Sequence, residues 1–378
     1  MRDLKIKLKK AKKIKFLRNI MVGVIGLIIA LFIVNVAPGY RRDKYKDKIN
    51  LIIDEDNRTE ELKHDIYVNE KGTVYISDED IKNLFDANIY YDEKYHQIIT
   101  TSDTKVANIV IDEKEMVVNG SNQNMIDAVV RINNNIYLPI SDMTIIYNIS
   151  VQYIPNTNVV IIDNLEKGII RAIISEKTDI KFRPRKLSKV IGNLKEGESV
   201  YAFYTTSKGW RKIRAQDGTL GYIKANKLTS EYILRQDMKK REEAQIISKK
   251  DYDNKQLKIN NTKVIIQNQT KSSNIENNNN TKVWMEVTNN LLEASISNVI
   301  KDYKTRTELI DAIVNNTINN NISGVVINFS KIQDNENFKR FIIELSPKLR
   351  EIGITTGIVI NDNLNKDDYK NLVEYIVE

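Results

Sequence analysis

Residues 324–332 read Gly-Val-Val-Ile-Asn-Phe-Ser-Lys-Ile, an apolar run that ends in the polar side chains of Asn328 and Ser330. Val325, Ile327 and Phe329 alternate with Val326, Asn328 and Ser330, which predicts a strand covered on both faces that emerges at a site. The chemistry open to that site is restricted. A serine hydroxyl, with a pKa far above 7, does not serve as a general acid, and an Asn is no substitute for a charged Asp. Cysteine is absent, which excludes a disulfide framework and a thiolate metal site. The two histidines, His64 and His96, are far apart in sequence, so neither a His-based metal cluster nor a cofactor is expected.

The elements around this strand have helical patterns on both sides, the arrangement of a βαβ unit in a parallel sheet or barrel. Residues 283–287 (Val-Trp-Met-Glu-Val) predict a preceding strand. Thr305-Arg306-Thr307-Glu308 reads as a capping box, followed by Leu309, Ile313 and Val314 on one helical face. Phe338, Phe341, Ile342, Leu345 and Leu349 recur at helical spacing. Pro347 is expected to bend that helix and Gly353 to cap it. Residues 354–360 predict a further strand, and 367–377 a last helix.

With these segments around it, the 324–332 strand resembles the fourth-strand signature of glycoside hydrolase family 18, the chitinase-like enzymes, and in particular its bacterial spore and cell-wall hydrolase branch. There the strand reads roughly Asp-Gly-x-Asp-x-Asp-x-Glu. The Glu protonates the glycosidic oxygen, and the last Asp orients the substrate's own N-acetyl group for attack. The matching positions here are Ser323, Val326, Asn328 and Ser330. The resemblance thus implies the family's fold and ancestry, whereas the residues at its motif deny its chemistry. An enzymatic reading requires a replacement acid, for which Glu286, Asp334 and Glu336 are the nearby choices. Residues 282–378 are under half of the ~250 that a (β/α)8 barrel takes. They offer three clear strands and a candidate fourth, so a partial (β/α) barrel is expected, with exposed edges suited to a protein partner or self-association.

Residues 169–228 show short alternating strands separated by Gly-containing turns, the pattern of a small all-β barrel. The segments Asp179-Ile180-Lys181-Phe182-Arg183-Pro184, Gly209-Trp210-Arg211-Lys212-Ile213 and Gly221-Tyr222-Ile223 resemble a bacterial SH3-like domain. Such domains often bind peptidoglycan peptides or cross-bridges, which makes Tyr204, Trp210 and Tyr222 the candidate ligand-binding aromatics. The same three side chains serve equally as structural residues sealing the barrel. Residues 229–281 read as a linker, with a charged helical pattern over 230–250, then a polar, Asn-rich tract. Residues 263–267 are a candidate lone strand within it.

Residues 65–166 contain an internal repeat at an offset of 62. Val74-Tyr75-Ile76 falls on Ile136-Tyr137-Leu138, Ile81 on Met143, Phe85 on Tyr147, and Ile98-Ile99 on Val160-Ile161. Each copy predicts a strand, a short helix, a strand, a polar turn and a strand, and a hairpin (107–111 with 116–120) lies between the copies. The region resembles the copper amine oxidase N-terminal domain-like module through Met116-Val117-Val118-Asn119-Gly120, Ile136-Tyr137-Leu138-Pro139-Ile140 and Val159-Val160-Ile161-Ile162-Asp163. The resemblance implies a spacer or wall-associated adaptor of a bacterial surface protein; with no His or Cys cluster, no copper site is expected.

The formal net charge of +8 resides in the first 18 residues, which hold nine Lys or Arg and only Asp3 on the acidic side. Removing nine from 58 and one from 50 leaves 49 basic and 49 acidic residues, so there is no electrostatic case for nucleic acid. Residues 20–36 form an apolar run of 17 residues after this basic tail (1–19). They predict a transmembrane signal anchor with the N-terminus in the cytoplasm and the bulk extracellular at the plasma membrane; the rival is a cleaved signal peptide. Residues 41–64 then form a charged juxtamembrane stalk. The 378 residues therefore predict a multidomain chain: an N-terminal transmembrane helix, an α+β duplicated stalk module, a small all-β SH3-like barrel and a partial (β/α) barrel segment. The expected function is a membrane-anchored, cell-wall-associated protein of a Gram-positive-type bacterium. It would hold peptidoglycan or another N-acetylglucosamine-containing polymer through the SH3-like domain, with a catalytically degenerate glycosidase-like end that is inert or a non-catalytic sugar or partner surface. Two alternatives are an active peptidoglycan or chitin-type N-acetylglucosaminidase and a structural scaffold in an envelope or sporulation complex.

Overall fold

A computed structural model describes residues 18, 20–27, 48–235, 243–250, 258–261, 283–289, 296–320, 322–330, 332, 334–361 and 363–378. Among these residues no helix is long and apolar enough to cross a membrane. A span needs about 20 apolar residues, and the described helical run over 20–27 has eight. This corrects the expected transmembrane helix over 20–36, the remainder of which lies outside the described residues. The fold class built on it is corrected too: the described chain is mostly β-sheet, in several sheets. The localisation drawn from the anchor, a single pass of the plasma membrane with an extracellular bulk, falls with it.

The chain forms two compact units, Met1–Asp65 with Ser150–Gln236, and Ile66–Ile149 with Asp237–Glu378. In the first unit a four-stranded sheet has the order Ile149–Ile154, Val159–Asn164, Asn50–Ile53, Asp56–Asn57. Asn50–Ile53 and Val159–Asn164 run parallel, with Leu51 opposite Val160. The unit's seven-stranded sheet is antiparallel throughout, in the order Val190–Leu194, Thr178–Lys181, Leu220–Lys224, Trp210–Arg214, Ser199–Thr205, Ile169–Ile174, Leu228–Leu234. Alternation along these strands turns Ala172, Ile174, Ile180, Val200, Ile213 and Ile223 into one buried cluster. The seventh strand, Leu228–Leu234, comes from the start of the stretch expected to be a charged linker.

In the second unit the repeat has a geometric expression. Val74–Ser77 and Asn135–Pro139 pair antiparallel, with Ile76 opposite Leu138, Ser77 opposite Tyr137 and Tyr75 opposite Pro139. The offset of 62 that aligns the copies in sequence also pairs Ile76 with Leu138, so these two equivalent strands meet about a local two-fold axis at that pair. Helix Asp78–Leu84 follows the first strand, with the Ser77 hydroxyl accepting from the Asp80 N–H at 3.1 Å. The first copy then continues into a five-stranded antiparallel meander, Tyr90–Asp92, Gln97–Thr101, Val106–Val110, Glu115–Val118, Ser121–Asn124.

Asp127 ties this half of the unit together. Its Oδ2 accepts from the Thr73 hydroxyl at 2.5 Å and from Asn69 Nδ2 at 3.0 Å, while Lys114 Nζ lies 3.1 Å from Oδ1. These donors, the Thr73 hydroxyl first, hold its carboxyl at about 2. A carboxylate depressed in the folded state adds stability above its ordinary range, and that stability fades as pH falls through the folded value. Replacing Thr73 by Val is therefore expected to lower the urea midpoint at pH 6. The gap from wild type should shrink below about pH 4 and close near pH 2. A gap that stayed constant over this range would assign the loss to packing rather than to the Asp127 carboxylate.

The rest of the unit is a six-stranded, all-parallel sheet in the order Gln245–Ile247, Tyr375–Val377, Thr355–Val359, Gly324–Asn328, Val283–Thr288, Lys258–Asn261. Two of its strands come from the stretch read as linker; residues 263–267 lie outside the described residues. The expected helix over 367–377 is instead a 3-10 turn, Lys366–Asp368, and the strand Tyr375–Val377. One face of the sheet (Met285, Val287, Val325, Ile327, Ile358) packs on helices Ile296–Lys301, Tyr303–Asn319 and Asn335–Glu351. The other face gathers Trp284, Val326, Val359, Tyr375 and Val377.

The helix boundaries have local causes. Tyr303–Asn319 starts at Asp302, whose carboxylate accepts from the N–H groups of Lys304 and Thr305, so the cap falls three residues before the expected Thr305. Asn335–Glu351 is capped by Asp334, runs through Pro347 and ends at Gly353. There φ is +80°, and the N–H groups of Gly353 and Ile354 bond the carbonyls of Arg350 and Leu349 at 3.0 and 2.9 Å.

Candidate functional site

Parallel strands all point the same way, so their carboxyl ends line up along one edge of the sheet, the place where open α/β sheets bind ligands. Asn328 closes its strand on the face opposite the helices, and its Nδ2 donates to Oε1 of Glu286 on the neighbouring strand at 2.6 Å. Ser330 is exposed beyond the strand end. Asn289, just past Val283–Thr288, clamps it with three bonds: Oδ1 accepts from the Ser330 N–H at 2.9 Å and from its hydroxyl at 3.0 Å, and Nδ2 donates to its carbonyl at 2.8 Å. Asn361, past the Thr355–Val359 strand, donates to the Phe329 carbonyl at 3.2 Å. The edge is therefore lined by three amides, a hydroxyl and one carboxylate.

The structure brings together only part of the motif. Asn328 and Ser330 are at the edge. Val326 is buried at 1% exposure beside Trp284, and Ser323 precedes the strand, its carbonyl accepting from the Thr355 N–H. Gly324 is required beneath Trp284, since a Cβ there would sit 2.4 Å from the indole ring. The three candidate acids also separate. Asp334 is occupied as a helix cap, and the Asn337 N–H beside it holds its carboxyl below the usual range, in the charged form. Glu336, exposed on the same helix, pairs with Arg340 one turn along at 2.7 Å. Glu286 alone of the three touches Asn328. Asn289 and Asn361 were not anticipated; the available signal is that each follows the carboxyl end of a strand.

Of the three aromatics in the antiparallel sheet, Trp210 is 6% exposed with the Lys224 ammonium 4.5 Å from its ring centre. Tyr204 is 49% exposed, and its hydroxyl lies 2.9 Å from that of Tyr222. Burial, then the bond to Tyr204, pushes the Tyr222 hydroxyl up to about 12. Lys212, directly across from Tyr222, extends over the Tyr204 ring at 5.6 Å and pairs with Asp56 at 3.0 Å. Tyr204, Tyr222 and Lys212 thus form one surface group that excludes Trp210. Among the described residues no group of three or more His, Cys, Asp or Glu is placed to hold a metal ion.

Comparison with known proteins agrees with the resemblance to the copper amine oxidase N-terminal domain. Residues 56–162 match the family model of the copper amine oxidase N-terminal domain. No curated protein matches the chain. Among solved structures, the chain is similar to the C-terminal domain of a protein named as a chitinase, from Desulfitobacterium hafniense DCB-2. Identity is 19% and the TM-score 0.21, over 26% of this chain and 33% of that one. The chain thus spans about a third of that structure's length.

Proposed function

We propose that this chain is a cell-wall-associated protein that binds an N-acetylglucosamine-containing polymer, peptidoglycan first, without cleaving it. The observation that carries the reading is the carboxyl edge of the parallel sheet. Where the family 18 resemblance would place the proton donor there is Ser330, clamped by Asn289, and where it would place the orienting acid there is Asn328. Amides and hydroxyls suit the hydroxyl and acetamido groups of such a polymer, and nothing at the donor position ionises near neutral pH. The Tyr204 and Tyr222 pair adds an aromatic surface that suits the peptide part of peptidoglycan.

Co-sedimentation of the full chain with purified peptidoglycan tests this reading. Retention is expected, with about tenfold weakening when Tyr204 and Tyr222 are both replaced by Ala, and no new reducing ends in the supernatant. Absence of pelleting at any wall concentration would sink the proposal. Glu286 favours a second reading, since it is the carboxylate in contact with Asn328. Reducing ends that appear with wild type and vanish in Glu286→Gln would replace the binding protein with a hydrolase.

A further inference from the structure

The seven-stranded sheet ends in strand Leu228–Leu234, which pairs with Ile169–Ile174 on one side and, among the described residues, with no strand on the other. Edge strands are usually protected by lysine, proline or a bulge. Here the register breaks between Thr229 and Tyr232, with Ser230 at φ +53°. Beyond that break the strand has neither lysine nor proline. Tyr232, Ile233 and Leu234 are 46%, 65% and 46% exposed, three large apolar side chains in a row along the open edge. The opposite edge of the sheet, Val190–Leu194, lies between Lys189 and Lys195 and has Gly192 at its centre.

Glu231 and Arg235 flank the apolar run, and both are exposed. The Glu231 side chain is 45% exposed while its Oε2 accepts from Arg211 at 3.3 Å. Along a strand, Glu231, Ile233 and Arg235 share one face, and Tyr232 and Leu234 share the other. Residues directly opposite each other in an antiparallel pair lie on the same face. A two-fold pairing of this strand with a second copy therefore centres on one residue, and the apolar run offers three centres. Centred on Tyr232, the pairing sets Glu231 against the partner's Ile233. Centred on Leu234, it sets Ile233 against the partner's Arg235. Centred on Ile233, it sets Glu231 against the partner's Arg235 and Tyr232 against the partner's Leu234, each twice, and Ile233 against its own equivalent. This last register alone puts opposite charges together and apolar side chains together.

We propose that this edge pairs two copies of the chain, antiparallel and isologous, in the register centred on Ile233. The occupant is a second copy because the charges that bound the apolar run complement the same edge turned about the axis. The pairing does not depend on the polymer-binding reading.

Sedimentation equilibrium of the full chain tests it. A dimer with a Kd of about 10–100 μM is expected, the weak end of specific association for so short an edge. Glu231→Arg alone and Arg235→Glu alone each set two like-charge pairs across the axis and should weaken the dimer at least about tenfold. Mixed in equal amounts, the two variants should recover wild-type association, because their heterodimer restores both opposite-charge pairs. Ile233→Lys should abolish the dimer, whereas Val190→Lys, at the other edge, should leave it unchanged. A monomeric wild type, association indifferent to the single reversals, or a mixture that stays monomeric while both variants keep the wild-type urea midpoint would each overturn the proposal. If Glu231→Arg failed to fold for want of the Arg211 contact, the comparison of Ile233→Lys with Val190→Lys would decide the question, equal effects of the two overturning it.

Discussion

Replacing Arg306 by Met is expected to remove about 3–5 kcal/mol from the second unit, the usual result of breaking a buried ion pair from one side. Arg306 is fully buried and Glu344 is 3% exposed. The guanidinium donates through Nε to Glu344 Oε1 at 2.8 Å, through Nη2 to the Tyr90 hydroxyl at 3.0 Å and through Nη1 to the Ile300 carbonyl at 2.9 Å. The Tyr90 hydroxyl in turn donates to Glu344. Three elements therefore share one charge pair: the meander, helix Tyr303–Asn319 and helix Asn335–Glu351. Without Arg306, Glu344 remains in the interior with only Tyr90.

Burial already pushes the Glu344 carboxyl up, opposed by Arg306. Removing the opposition raises it further. A carboxyl raised in the folded state supports stability below its unfolded value and withdraws that support as pH rises through the folded value. The deficit of Arg306→Met should accordingly be smallest near pH 4 and grow toward pH 8. The double variant Arg306→Met, Glu344→Leu should recover most of the loss, because no unpaired charge remains. Urea unfolding in a Trp210→Phe background isolates the second unit, since of the two tryptophans only Trp284 lies in it. A loss below about 1 kcal/mol, flat with pH, would show that this pair does not hold the three elements together.

Sequence reading failed at Arg306 for a physical reason. Thr305-Arg306-Thr307-Glu308 has the form of a solvent-facing helix start, and the groups that draw Arg306 inward lie at Tyr90 and Glu344, far away along the chain. Where period and neighbours sufficed, reading succeeded: the strand at 324–328, the helical face from Phe338 to Leu349 and the Gly353 turn all follow from local pattern. The strand Tyr375–Val377 was hidden because Tyr369, Leu372, Val373 and Ile376 fall at helical spacing while being buried by a turn and a three-residue strand. At the candidate site Asn328 and Ser330 were visible because they interrupt an apolar run. Asn289 and Asn361 were not, because a single Asn after a strand is ordinary in an Asn-rich chain and gains meaning only from strand order. The membrane anchor was read from an apolar run behind a basic tail, and among the described residues no helix is long and apolar enough to bear it out.

Arg214→Met is expected to cost the first unit about 3–5 kcal/mol, and Arg214→Lys most of that amount. Arg214 is fully buried, and its two terminal nitrogens grip Asp163 bidentately at 2.7 and 2.6 Å. Nη1 also donates to the Asp54 carbonyl at 2.6 Å, and the guanidinium lies 4.3 Å from the centre of the Tyr201 ring. This one side chain joins strand Trp210–Arg214 of the seven-stranded sheet to strand Val159–Asn164 and the turn after Asn50–Ile53. The repeat shows how specific the joint is: at the offset of 62, Asp163 corresponds to Thr101 in the first copy, whose N–H and hydroxyl serve Asp86 instead. The copies share a strand but diverge at its last residues, where each meets different neighbours. A lysine ammonium keeps the charge but loses the planar fork and the ring contact. Urea unfolding in a Trp284→Phe background, read through Trp210, separates the two contributions. If Arg214→Lys proved as stable as wild type, charge alone would account for the joint, and the bidentate geometry would have to be abandoned as its cause.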